Sequence, residues 1–349
     1  MPLPTLTYIQ YTQVSKKFNP SNQLRTEVLT IAALPKPPFF AMMQAQKTSN
    51  IKGDSFMPIG ALEAGGTKMV AGVFSEEGDL LTQAILPTRE PVLTMPEIIG
   101  FFRENPVDAL GIGSFGPLDL RKDSPTYGYI TSTPKLIWRD YPLLPELQAK
   151  LNIPCAIDTD ANAAVLAELE RGIAKGLSNA VYVTIGTGVG GGISVSGQLV
   201  HGMLHPELGH MLLHPHPDDT NPKGVCPYHE GCLEGLASGP ALTARAGTDA
   251  RLLPDSDPAF ALEAYYLAQM CVNLILTVSP ERIVLGGGVM QRQCLFPMIR
   301  QETLRLLNGY VQHASLLEHI EEYIVPPELF PISGLVGAYL LGLKAAKGG

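Results

Sequence analysis

The residues best equipped for chemistry in this chain lie in residues 207–234. His210, Cys226, His229 and Cys232 supply two imidazoles and two thiols, a donor set suited to four-coordinate Zn²⁺. Cys226, His229 and Cys232 follow one another at intervals of three, so one tight turn brings them to a point, and His210 arrives from sixteen residues upstream to close the set. The alternative, two buried cysteines beside surface histidines, does not account for that spacing. Glu207 and Glu234 flank the cluster; neither is needed as a ligand, so both are free for other work. His201, His205, His214 and His216 crowd the same stretch without a matching spacing and read as surface residues.

A second group of candidates is built from glycine. Residues 59–63 form a short apolar strand ending at Glu63; Gly65, Gly66, Thr67 and Lys68 form a turn, with strands expected at 69–74 and 80–86. Adjacent glycines let backbone N–H groups approach phosphate oxygens closely. Glu63 stands at the mouth of the turn, where its oxygens could hold Mg²⁺ directly or through water. From residue 180 the pattern recurs: strand, glycine turn, strand, with hydroxyls from Thr184 and Thr187 and close backbone from Gly186, Gly188, Gly190 and Gly191. Either copy alone is equally a plain turn. Two copies, each opening a block of alternating strands and helices, imply two like domains facing one cleft and closing on a triphosphate from opposite sides. No G-x-x-x-x-G-K-[ST] motif occurs, so this is not a P-loop. Gly286, Gly287 and Gly288 follow a buried strand at 281–285 and leave room for an adenine ring.

Asp158 and Asp160 end a strand at 155–160 that runs into a helix at 161–175. Two apart on a strand, they face one side. Asp158 reads as structural; Asp160, at the junction, is either a helix N-cap or a general base. The elements that position these groups are helices at 95–105, 143–150, 259–278, 294–307 and 333–347, and strands at 109–117 and 320–324. The strand at 109–117 runs into a Gly/Pro loop containing Gly116, a usual place for ligand contacts in α/β folds. Residues 127–138 are polar and aromatic and suit either a cleft lining or an ordinary surface loop.

With 349 residues, 45% of them hydrophobic, the chain can bury a large core and divides into about two domains. Net charge is −8, which argues against a nucleic-acid backbone as partner. No uninterrupted apolar run of membrane-spanning length is evident, and residues 1–13 lack a signal-peptide pattern. Cys155, Cys271 and Cys294 sit in apolar surroundings and read as buried free thiols of a reducing, cytoplasmic compartment. Residues 1–57 differ from the rest: six Lys/Arg against two acids give them a net +4, leaving −12 elsewhere, and prolines interrupt them at Pro2, Pro4, Pro20, Pro35, Pro37 and Pro38. They read as a mostly disordered basic extension, either a docking arm or a dispensable leader.

Taken in order, the motifs Glu-Ala-Gly-Gly-Thr-Lys, Ser-Phe-Gly-Pro, Asp-Thr-Asp-Ala-Asn-Ala-Ala, Thr-Ile-Gly-Thr-Gly-Val-Gly-Gly-Gly, Pro-Glu-Leu-Gly-His, Cys-x₂-His-x₂-Cys-x-Glu and Ile-Val-Leu-Gly-Gly-Gly-Val resemble those of the ROK sugar kinases of the actin-like ATPase superfamily. Glu63 in place of Asp, Thr159 in place of a sugar-contacting Asn, and His229 in place of the middle zinc Cys resemble the fructokinase branch. The resemblance implies an α/β fold of two RNase H-like domains with a hinged cleft and a structural zinc loop. Residues 58–160 plus 333–349 would form the N-terminal domain and 161–332 the C-terminal one carrying the zinc loop. The final helix would return to the first domain and the helix from Ala161 would cross to the second. It further implies ATP-dependent phosphorylation of a hexose 6-hydroxyl, D-fructose to fructose 6-phosphate. The alternatives are a glucokinase or mannokinase and, in another class, a sugar-sensing regulator. Asp160 would be the general base, with Gly116, Thr159, Glu207, His210 and Glu234 around the sugar. Gly65, Gly66, Thr67, Lys68, Thr184, Thr187 and Gly188 would handle phosphates, Gly286, Gly287 and Gly288 would lie by adenosine, and Glu63 by Mg²⁺. His210, Cys226, His229 and Cys232 would bind Zn²⁺. The partners implied are a small sugar and a second copy of the chain in a homodimer.

Overall fold

The computed structural model describes residues 57–348; the basic extension lies outside them apart from Met57. The chain opens with β1 (Ile59–Ala64), β2 (Lys68–Phe74) and β3 (Leu80–Pro87), then α1 (Pro91–Glu104), β4 (Ala109–Ser114), α2 (Leu143–Leu151) and β5 (Cys155–Thr159). β1 and β4 are apolar on both faces and almost wholly buried, as central strands covered on two sides must be. The five strands form one sheet in the order β3-β2-β1-β4-β5. The first three are antiparallel and the last two run parallel to β1.

After α3 (Asp160–Arg171) the plan repeats with β6 (Ala180–Ile185), β7 (Val189–Val195) and β8 (Gln198–Leu199). The short helices α4 (Leu233–Ala237) and α5 (Gly239–Ala246) precede the long α6 (Ala259–Thr277), β9 (Arg282–Gly286) and α7 (Leu295–Leu307). The single turns α8 (Ala314–Leu317) and α9 (Ile320–Tyr323), then β10 (Ile324–Val325) and α10 (Ser333–Ala346), complete the chain. The second sheet runs β10-β9-β6-β7-β8, the first sheet's order read backwards, with the same antiparallel and parallel pairs.

α3 contacts both sheets, and α10 packs on the first sheet and on α3. α10 lies on β1 and β4 because small residues let it approach: a Cβ on Gly111 of β4 would overlap the carbonyl oxygen of Ala338, and one on Gly337 would overlap that of Ala163. α3 is alanine-rich for the same reason. Ala163, Leu166 and Ala167 pack with α10 and β1, while Ala164 and Val165 pack with Tyr182, Val284 and Val325 of the second sheet. Glu168, fully buried on α3, accepts hydrogen bonds from Ile173 N (3.0 Å), Glu328 N (3.2 Å), Leu329 N (3.1 Å) and Ser333 Oγ (2.8 Å). One carboxylate thus ties the chain leaving α3 to the chain entering α10.

Three sequence expectations change here. Residues 320–324 begin as the helical turn α9, and only Ile324 and Val325 are strand; the adjacent Glu321 and Glu322 are both solvated, without the alternation of a strand packed on one face. α6 is long and apolar enough to cross a membrane, but Phe260, Tyr266, Leu267, Met270 and Leu274 are buried in the core beneath the second sheet. Cys271 is buried, whereas Cys155 and Cys294 are half-buried; all are free thiols.

That core also contains ions. Arg245 of α5, Asp219 of the loop 211–225 and Glu263 of α6 have side chains 5%, 0% and 0% exposed, with N···O separations of 3.4 Å in both pairs. Tyr266 Oη donates to Asp219 at 2.6 Å, while Glu263 Oε1 has no partner. Burial pushes the Glu263 carboxyl up to about 8 against the pull of Arg245. A carboxyl raised in the folded state favours folding below its ordinary value, near 4.5, and that contribution is lost as pH rises toward 8. The melting temperature should therefore fall between pH 5 and pH 8.5, and Glu263→Gln should flatten that fall; parallel melting curves across the range would show that Glu263 does not titrate there.

Candidate active site

The carboxylates singled out in the sequence meet in a row between the two glycine hairpins. Glu63 is the penultimate residue of β1, and its carboxyl sits over Gly334 in the first turn of α10, where any side chain would collide with it. Burial and the neighbouring Asp160 charge push it up to about 7, with Lys68 pulling the other way. Asp160 opens α3. Thr159, not Asp160, caps the helix, its Oγ1 accepting from Asn162 N at 3.0 Å. Asp160 Oδ1 accepts from Ala161 N at 2.8 Å, and desolvation raises its carboxyl above the usual range. Glu207 is also pushed up, to about 7, by desolvation and by the charges of Asp160 and Glu234. Glu234, on the first turn of α4, accepts from Val189 N at 3.0 Å in the second hairpin, and Gly188 leaves the room it needs. One Glu234 oxygen is therefore occupied by backbone.

Asp158 differs from Asp160. It is buried and accepts from Thr159 N (2.8 Å), Asn162 Nδ2 (2.7 Å) and His201 Nε2 (2.9 Å), so it holds the helix start in place. The segment 201–207 is likewise an integral part of the site. His205 is 7% exposed, not a surface residue, and its Nε2 accepts from Leu118 N at 3.0 Å. The ring lies against Gly116, with Nδ1 3.6 Å from Glu207 Oε1, and burial holds its pKa below the ordinary value. His205 thus seats Glu207 against the Gly116–Pro117 loop. Sequence spacing missed it because its partner is a backbone amide eighty-seven residues away. His214 is exposed and His216 half-buried.

The first hairpin closes through Gly65 N to Lys68 O at 3.0 Å, braced by Thr88 Oγ1 donating to Gly65 O at 2.7 Å. Thr67 and Lys68 are exposed at its tip. The second closes through Gly186 N to Gly188 O at 2.9 Å, leaving Thr187 exposed and Thr184 half-buried on β6. Gly186 O accepts from Gly239 N at 2.8 Å where α5 begins. Gly287 (φ +89°) turns the chain against Ile185, a Cβ on Gly286 would overlap the Tyr182 hydroxyl, and the space over Gly288 is open.

The Cys/His set also assembles. One ligand atom from each of His210, Cys226, His229 and Cys232 lies within 4.8 Å of all the others. Cys226 Sγ is 3.9 Å from His210 Nδ1 and 3.7 Å from His229 Nδ1, and Cys232 Sγ is 3.8 Å from His210 Nδ1. A tetrahedral ion bonded at ~2.3 Å to sulfur and ~2.1 Å to nitrogen would set such atoms about 3.6 Å apart, so the residues fit a metal. Cys232 is also the N-cap of α4, two residues before Glu234.

Paired five-stranded sheets of one strand order, a glycine hairpin in each and carboxylates between them define a fold of the actin-like ATPase type. The chain belongs to the ROK family, whose model matches residues 59–345. It is 45% identical over 291 residues to a fructokinase of Pediococcus pentosaceus, covering 83% of this chain and 99% of that one. To a fructokinase of Zymomonas mobilis it is 40% identical, covering 82% and 96%. The solved ROK hexokinase of Thermus thermophilus superposes with a TM-score of 0.66 at 30% identity, over 84% of this chain and all of that one.

Proposed function

We propose that the protein is an ATP-dependent sugar kinase that phosphorylates the 6-hydroxyl of a hexose, with D-fructose as its substrate. The reading rests on the row Glu63, Asp160, Glu207, Glu234 between two glycine hairpins, together with 40–45% identity to fructokinases.

Phosphoryl transfer asks a protein mainly for positioning and charge neutralisation. Asp160 is the general base: its desolvated carboxylate takes the proton of the acceptor hydroxyl as the oxygen attacks. The backbone of Gly65 and Gly66, with the free amide at Gly66 and with Thr67 and Lys68, meets the phosphates from one side, and Thr184, Thr187 and Gly188 meet them from the other. Gly286, Gly287 and Gly288 lie beneath adenosine. Gly116, Thr159, Glu207, His210 and Glu234 surround the sugar. Mg²⁺ suits Glu63, whose oxygens are the hard donors that ion prefers, and would neutralise phosphate charge there. Zn²⁺ suits His210, Cys226, His229 and Cys232; with four protein ligands it would supply structure rather than a substrate position.

Residues 58–160 with 333–349 and residues 161–332 act as two domains hinged at α3 and α10, whose closure excludes water from ATP. The free thiols suit a reducing, cytoplasmic setting, and the active form is a homodimer. In a coupled ATP assay over fructose, mannose, glucose and N-acetylmannosamine, fructose should give the highest kcat/KM. A clear preference for glucose would overturn the fructose reading while leaving the kinase reading intact.

A further inference from the structure

Lys135 stands in the loop between β4 and α2, within residues 127–138, whose composition suits either a cleft lining or a surface loop. Its backbone is anchored on both sides. Lys135 N donates to Thr133 Oγ1 at 3.3 Å, and its carbonyl accepts from Trp138 N at 2.8 Å. Trp138 is wholly buried, packs edge-on against Phe115 and Tyr141, and donates Nε1–H to Arg89 O at 2.8 Å. From this base the half-buried Lys135 side chain crosses the tip of the first glycine hairpin. Its Cε lies 3.0 Å and its Nζ 4.0 Å from the point a Cβ on Gly66 would occupy. Any side chain at residue 66 would press on the lysine, so Gly66 admits it as well as a phosphate.

Two other cations stand near this hairpin. Arg89 pairs with Glu97 at 2.5 Å, and the charge of Lys68 is felt by Glu63. Among the described residues no carboxylate lies within ion-pairing distance of Lys135. A long, flexible ammonium side chain held on an anchored loop beside open backbone amides, with no anion of its own, is arranged for an anion brought by a ligand.

We propose that Lys135 is a catalytic residue that contacts the γ-phosphoryl group of ATP during transfer. It keeps its proton throughout; its ammonium neutralises charge on the phosphoryl oxygens from the side opposite the second hairpin. This assignment rests on the kinase reading above.

The test compares wild type with Lys135→Met and Lys135→Arg. Lys135→Met should lower kcat about 10²-fold, the usual loss for one charge-stabilising donor, with KM for fructose and the melting curve unchanged; Lys135→Arg should recover part of the loss. A Lys135→Met enzyme within threefold of wild type, or one altered only in KM for fructose, overturns the assignment. Calorimetry without sugar gives a second readout. Lys135→Met should weaken AMPPNP binding by about tenfold and leave ADP binding unchanged, whereas equal weakening of both overturns it. Wild-type protein that phosphorylates no sugar would sink the kinase reading instead, and the AMPPNP-to-ADP comparison would still decide for or against a γ-phosphate contact.

Discussion

Asp160→Asn should lower kcat for hexose phosphorylation by about 10²- to 10⁴-fold, the range for loss of a general base, and leave the melting curve in place. The fold is spared because Thr159, not Asp160, caps α3. The hydrogen bond that Asp160 Oδ1 accepts from Ala161 N at 2.8 Å can be accepted equally by an amide oxygen. What the substitution removes is proton affinity. Desolvation raises the Asp160 carboxyl, bringing its basicity nearer the working pH, where a catalytic base is most effective. Asp160 also raises both Glu63 and Glu207. An uncharged residue there should let those two groups ionise at lower pH and shift the pH dependence of any residual activity downward. Turnover near the wild-type rate would move the base elsewhere.

The second large effect is expected at Cys232. Cys232→Ser should bring bound zinc from one ion per chain to nearly none. It should cost on the order of 4 kcal/mol of stability, among the larger single-residue effects and typical of a lost metal site, and raise KM for the sugar. Burial and neighbouring Cys226 push the Cys232 thiol up to about 11 without a cation, so metal binding must release protons and should weaken in acid. The coupling to sugar follows from position: Cys232 caps α4, and Glu234 stands in its first turn. The buried Arg245–Asp219–Glu263 group holds the same loop from the core side. Metal analysis with melting curves before and after chelation checks this; an unchanged melt after verified zinc removal would exclude a structural metal.

The local elements were legible because their signals are local. The β1–β2 and β6–β7 hairpins show as apolar runs broken by glycine, α6 and α10 as long apolar stretches, and Cys226, His229 and Cys232 at spacings a single turn can close. The repeat of strand, glycine turn and strand anticipated two sheets of one order. Legibility failed where the deciding partner is distant. His205 is polar and surrounded by histidines in sequence, yet Leu118 and Gly116 bury it. Residues 320–324 look like a strand by composition, but of these only Ile324 becomes one, pairing together with Val325 against Ile283 and Val284.

By itself, then, the sequence determined the repeated hairpins, the clustered Cys/His donor set and the family, since each depends on residue type and short spacing. The tertiary structure decided which groups meet. It brought Glu63, Asp160, Glu207 and Glu234 into one row across two sheets, assigned the cap of α3 to Thr159, and laid Lys135 over Gly66. Those outcomes depend on how closely α3 and α10 can approach their neighbours. The backbone contacts that permit it, Gly111 against Ala338 and Gly337 against Ala163, join residues that no pattern along the chain connects.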